Sequence, residues 1–264
     1  MIGRHDRKAG GSVIYIHLIR HGKTIGNVKK QYIGSTDESL CPEGIEELVQ
    51  KKARGIYPTS EEIEPVIYSS PMRRCIETAK VLYPGFHIES IDGFQETDFG
   101  PFERKNYEQL CKLPEYREWI DSQGEIICAG MEKRSSFQKR CAETFETFIR
   151  KIDMDSMDVD SKASNCETVD FMEDKQKSAF GDKHFVLVVH GGTIMALMQE
   201  LGMEDSDTYK SEGHIRDFYR YQRENGCGIT CSLVIDSSID LHNSLGKYAG
   251  KKAKIRLKWE GNIG

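Results

Sequence analysis

Three apolar runs, the first interrupted by His17 and each closing on a short polar sequence, constrain this chain more than any other feature: IHLIRHGKT at 16–24, VIYSSPMRRC at 66–75 and FVLVVHGGT at 185–193. A strand with one wet face alternates apolar and polar residues, whereas one apolar at successive positions is covered on both faces. Such strands belong to a parallel sheet between helical layers. The first strand is predicted at Val13–Leu18, followed by Val66–Tyr68, Phe86–Ile88, Phe185–Val189 and Ile229–Ile235. Helical patterns lie between them. Pro42 and three glutamates open a helix running to about Arg54, before Gly55 and Pro58, and a second covers Met72–Leu82. Phe137, Cys141, Phe145, Phe148, Ile149 and Ile152 recur at helical spacing. The expected fold is a three-layer α/β/α sandwich with a mostly parallel central sheet.

At 264 residues the chain has room for one or two domains. No linker divides it, so a single domain over 12–264 is expected, preceded by a polar tail at 1–11. Residues 153–182 carry nine acidic groups against three lysines, net −6, and read as a solvated acidic insertion rather than a docking element or lid. That stretch accounts for the acidity of the whole chain, whose formal charge is −5. With no broad basic surface, nucleic acid is an unexpected partner. No apolar run is long enough to span a bilayer and no secretory signal is evident. The eight cysteines form no C-x-x-C pair and read as reduced thiols of a cytoplasmic protein; Cys227 and Cys231 alone make a weak zinc signal. Ile255, Leu257 and Trp259 alternate with Lys254, Arg256 and Lys258, as on an edge strand.

In an open α/β sheet, ligands gather beyond the carboxyl ends of the strands, so the three polar sequences can converge. They bring Arg20 and His21, then Arg74, then His190. Two histidines with guanidinium groups suit anion recognition combined with nucleophilic or proton-transfer chemistry. Metal binding is disfavoured, because Arg20 places a permanent positive charge beside His21 and no H-E-x-x-H pattern occurs. Taken singly, each residue also fits a plainer role: a satisfied structural histidine, a surface arginine in an ion pair, or, for Glu96, a solvated loop acid.

Taken together, these residues resemble the histidine phosphatase superfamily, which includes the cofactor-dependent phosphoglycerate mutases. Arg20, His21 and Gly22 match its R-H-G signature, followed by Thr24 and Asn27, and Gly34, Asp37, Leu40, Pro42, Glu43 and Gly44 match the next stretch. Ser69, Ser70, Arg74, Glu77, Thr78 and Ala79 resemble its serine-rich turn and arginine-bearing helix. Glu96, Asp98, Phe99, Gly100, Phe102 and Glu103 resemble the acid-bearing loop, and His190, Gly191 and Gly192 the second histidine motif. The resemblance implies a phosphoglycerate mutase-like fold and a phosphohistidine formed on His21. It further implies that Arg20, Arg74 and His190 surround the phosphoryl oxygens, that Glu96 is the general acid, and that Asn27 contacts phosphate. Gly22 and Gly191 permit close backbone approach to phosphate, and Thr24 is either a phosphate contact or a helix cap.

A phosphoenzyme can pass its phosphoryl group to water or back to a sugar acid. After Glu96 the chain reads TDFG, more like the small phosphatases, and Phe99 stands where the mutases carry tyrosine. The expected function is hydrolysis of a small phosphomonoester, with no cofactor and no metal; α-ribazole phosphatases are among the groups it resembles. Phosphoglycerate mutase activity and a noncatalytic phosphate-binding or regulatory role are the alternatives. Two positions depart from the family pattern. Arg104 occupies a usual glycine, and Met131 and Lys133 flank Glu132 where G-E-S is expected.

Overall fold

The computed structural model describes residues 12–163, 181–203, 218–235 and 254–264; the 1–11 tail and residues 164–180 of the acidic stretch lie outside them. Six strands form one sheet in the order β3-β2-β4-β1-β5-β6. They are β1 (Ile14–Arg20), β2 (Val66–Ser69), β3 (His87–Ser90), β4 (Lys183–Val189), β5 (Gly228–Ile235) and β6 (Ile255–Ile263). The first four are mutually parallel, β5 runs against β1, and β6 runs against β5.

Because side chains alternate across a strand, the consecutive apolar runs feed two cores. Ile16 and Leu18 join Phe185, Leu187 and Val189 on one face, whereas Ile19 joins Val186 and Val188 on the other. The first face is covered by α6 (Arg134–Ala163), through Phe145 and Ile149, and by α7 (Gly191–Leu201), through Leu197 and Leu201. The second is covered by α2 (Pro42–Ala53), through Leu48, and α3 (Arg73–Leu82), through Cys75 and Ala79. The helix after β1 and the helix after β4 therefore pack on opposite faces. This opens a crevice at the adjacent carboxyl ends of those two strands.

The sequence-derived elements appear with boundaries moved by a few residues, and β6 is the expected edge strand, with Ile255 and Leu257 buried and Lys254 and Lys258 exposed. The acidic stretch differs in one respect. Helix α6 continues through its first eleven residues to Ala163, since no glycine or proline interrupts 153–163 and each added residue gains a backbone hydrogen bond.

Between β3 and α6 the chain builds a cap. The short helices α4 (Tyr107–Leu110) and α5 (Pro114–Asp121) bury Leu110 and Tyr116 against Phe102 and Met131, with Tyr32, Phe99 and Trp119 packed alongside. Arg104, at the usual glycine position of this cap, is held at φ +61°, a left-handed conformation that costs a residue with a Cβ roughly 1–2 kcal/mol. Its side chain is exposed. Arg104→Gly is accordingly expected to raise the unfolding free energy by about 1 kcal/mol, read from denaturant midpoints.

On the second face of β1, His17 is buried. Its Nδ1 lies 2.9 Å from Thr230 Oγ1 and its Nε2 3.0 Å from His184 Nδ1. Burial, then the neighbouring His184, lowers the His17 pKa from 6.5 to about 4, against a smaller opposing pull from Glu62. Above about pH 6.5 both folded and unfolded chains hold His17 neutral. As pH falls toward 4, the unfolded chain takes up a proton that the folded chain refuses, so stability is lost across that window. His17→Gln is expected to flatten this acid limb by on the order of 2 kcal/mol, measured by chemical denaturation at neutral and acidic pH.

Candidate active site

The carboxyl ends of all four parallel strands deliver groups to the crevice. Arg20 closes β1 opposite Val189 of β4, and the next backbone N–H, that of His21, donates to the Val189 carbonyl at 3.0 Å. Ser70 follows β2 and is tied to β4 by its N–H to Val188 O at 2.9 Å. Arg74 lies in the first turn of α3, Glu96 in the loop after β3, and His190 is the N-cap of α7.

His21 is buried, and its ring lies 5.2 Å from that of His190, centroid to centroid. Its Nδ1 is 2.7 Å from the Gly22 carbonyl, which can only accept, so Nδ1 carries the proton and Nε2 is the lone-pair nitrogen of the neutral ring. Burial first, then Arg74 and Arg20, holds the His21 pKa well below its ordinary value. The imidazole therefore stays neutral, with Nε2 unprotonated. Around it, Asn225 Nδ2 donates to His21 O and to Asn27 Oδ1, both at 3.1 Å, and Thr78 Oγ1 receives the Gly22 N–H at 2.9 Å.

Arg74 is completely buried. It donates to the carbonyls of Thr36 at 2.7 Å and Gly34 at 2.8 Å, and its Nε donates to His190 Nδ1 at 3.3 Å. With Nδ1 accepting, His190 carries its proton on Nε2, 2.7 Å from Ser70 Oγ. The loop that Arg74 grips is itself held by Glu103, whose carboxylate accepts the N–H groups of Gly34, Ser35, Thr36 and Phe99 at 3.0–3.3 Å. Arg20 donates to Arg223 O at 2.6 Å, while its buried Nε has no protein partner.

Glu96 accepts from the backbone N–H groups of Thr97 at 3.0 Å and Gly192 at 3.1 Å. Those bonds and the two arginines favour its charged form, but burial outweighs them and raises its pKa. A Cβ on Gly192 would lie 2.3 Å from Glu96 Oε1, so only glycine leaves the carboxyl its place. At Gly191, a Cβ would approach Arg20 Nε to 3.2 Å. The Glu96 loop is clamped from behind: Arg140 forks onto Glu132 at 2.6 and 2.9 Å and donates to the carbonyls of Gly93 and Gln95 at 2.8 and 3.0 Å. Glu132 thus braces the loop through Arg140, and it also lines the neighbouring cavity.

The crevice gathers Arg20, His21, Arg74, Glu96, His190 and Gly191, with Asn27 at its side. Thr24 is spent locally, because its hydroxyl accepts Asn27 N–H at 3.2 Å and caps α1 (Ile25–Val28), while Asn27 Oδ1 accepts Thr24 N–H in return. Asn225, Glu103, Arg140 and Gly192 are supporting residues to which the sequence motifs assigned no role. For Asn225 the only local signal is an Asn-Gly pair, with Gly226 at φ +67°.

A parallel sheet whose strand ends carry paired histidines, buried arginine and a carboxyl in a cavity defines a class, and a family model confirms it. Residues 16–157 match the histidine phosphatase superfamily (branch 1), and the chain belongs to that superfamily. Among its relatives is the broad-specificity phosphatase YOR283W of Saccharomyces cerevisiae, 26% identical over 205 residues and covering 75% of each chain. The uncharacterized phosphatase PhoE of Bacillus subtilis is 31% identical over 101 residues, 36% of this chain and 48% of that one. The α-ribazole phosphatase of Shigella flexneri shares the fold, with a TM-score of 0.56 over 92% of this chain and 95% of that one at 18% identity. Phosphatase chemistry is what the family and these relatives support. Among the described residues, no helix is long and apolar enough to cross a membrane.

Proposed function

We propose that the protein hydrolyses small phosphomonoesters through a phosphohistidine on His21, with Glu96 as general acid. The observation that carries this reading is the 2.7 Å bond from His21 Nδ1 to the Gly22 carbonyl, which leaves Nε2 as the nucleophile. The Nε2 lone pair attacks phosphorus and the ester P–O bond breaks. Glu96, protonated at a raised pKa, gives its proton to the departing alkoxide. Water then attacks the phosphohistidine, Glu96 takes the proton back, and orthophosphate leaves with His21 restored. Throughout, Arg20 and Arg74 supply permanent positive charge to the phosphoryl oxygens, with Asn27 and the backbone at Gly191 beside them, and His190 turns its neutral Nε2–H from Ser70 Oγ to the bound phosphoryl group.

A phosphate-release panel run beside a phosphoglycerate interconversion assay tests the reading. Orthophosphate release with little interconversion is expected; the reverse would make the protein a mutase, and anion binding without turnover would make it a noncatalytic phosphate binder. No step calls on a metal ion, so turnover is expected to survive exhaustive chelation. Loss of activity on chelation, restored by a divalent cation, would overturn the scheme.

A further inference from the structure

A cavity of about 750 Å³ adjoins the proposed phosphoryl site, lined there by Arg20, Asn27, Glu96 and Gly192 and extending to residues of the cap. Tyr32, Phe99 and Trp119 form part of its outer wall, and all three are half-buried. Their rings interlock edge to face: Tyr32 with Phe99 at 5.1 Å and 60°, Tyr32 with Trp119 at 5.5 Å and 86°, and Phe99 with Trp119 at 6.1 Å and 88°. Tyr32 commits its hydroxyl to that of Tyr116 at 2.7 Å, so the ring is what it has left to offer a ligand.

We infer that the leaving groups of this enzyme are alcohols bearing a planar ring a short distance from the phosphoester, held against Tyr32, Phe99 and Trp119. The inference rests on the phosphatase reading above. A triose-sized phosphoester would leave most of the cavity to water, while volumes of this order suit ligands the size of a ring system. Rings fixed by one another need no reordering to meet a planar ligand, and aromatic contact adds attraction beyond the area it buries. A flexible alkyl chain would lose rotational freedom at every bond frozen against the same wall. Gln31 and Gln123 also line the cavity; Gln31 Nε2 donates to Arg104 O and Gln123 Oε1 accepts from Arg134, which leaves the Gln31 side-chain carbonyl and the Gln123 NH2 for polar substituents of a ligand.

The test compares kcat/KM for ethyl, 2-cyclohexylethyl and 2-phenylethyl phosphates, whose leaving alcohols are similar enough that differences report contacts rather than bond strength. The phenylethyl ester is expected to exceed the ethyl ester by about thirtyfold or more, and the cyclohexylethyl ester by about fivefold. Trp119→Leu should bring the phenyl-to-cyclohexyl ratio close to one, and Phe99→Leu should lower it in the same direction if the first variant folds poorly. Equal rates for the phenyl and cyclohexyl esters, or for the phenyl and ethyl esters, would overturn the inference and leave the phosphatase reading standing. Phosphate release from none of the three would overturn both.

Discussion

His21→Ala is expected to lower phosphate release by on the order of 10⁴-fold or more and to abolish a phosphoenzyme trapped by rapid quenching under alkaline conditions, where phosphohistidine survives. The size of the effect follows from the absence of a substitute. His190, whose ring lies 5.2 Å from that of His21, spends Nδ1 on Arg74 and Nε2 on Ser70, so its nitrogens are engaged where those of His21 leave Nε2 available. The variant should still bind inorganic phosphate, since Arg20 and Arg74 remain. Unchanged turnover in His21→Ala would remove the proposed nucleophile. A phosphoenzyme persisting in that variant would move the covalent step to another residue.

The parts of this site legible in the sequence are those that single strands carry to their ends. Ile14–Ile19, broken only by His17, and Phe185–Val189 announce a covered sheet by being apolar at nearly every position, and a strand end fixes where the next residue goes. His21, Arg74 and His190 could thus be placed in one crevice before any coordinates. What could not be read is the support that reaches across the chain. Arg140 clamps the Glu96 loop from α6, 45 residues or more away from Gly93 and Gln95 in sequence, and Asn225 reaches His21 across 204 residues. Arg140 has no local pattern to mark it, and Asn225 only an Asn-Gly pair that signals a turn rather than a reach to His21. Thr24 shows the opposite case, a motif residue whose local pairing with Asn27 already fits a helix cap. The acidic composition of 153–163 pointed to a loop, but charge does not stop a helix that meets no glycine or proline.

Gly192→Ala is expected to cut kcat for alkyl phosphates by about 10²-fold or more while leaving the fold intact. The new methyl would sit 2.3 Å from Glu96 Oε1 and 3.0 Å from Cδ, so the carboxyl must shift by about 1 Å to restore ordinary contact, and misplacing a catalytic group by that much costs on the order of 10²-fold. Glu96 cannot simply retreat, since Arg140 and Glu132 brace the loop behind it. Folding should not suffer in proportion: Gly192 lies in the first turn of α7, without positive φ, where alanine is the better helix former. The decisive readout is therefore the ester, not the melting temperature. A nitrophenolate departs with little need of a proton, so p-nitrophenyl phosphate should lose far less than an alkyl ester, and Glu96→Gln should reproduce the same selectivity. Equal losses on both esters would mean that Gly192 shapes phosphoryl binding, and would take the general-acid role away from Glu96.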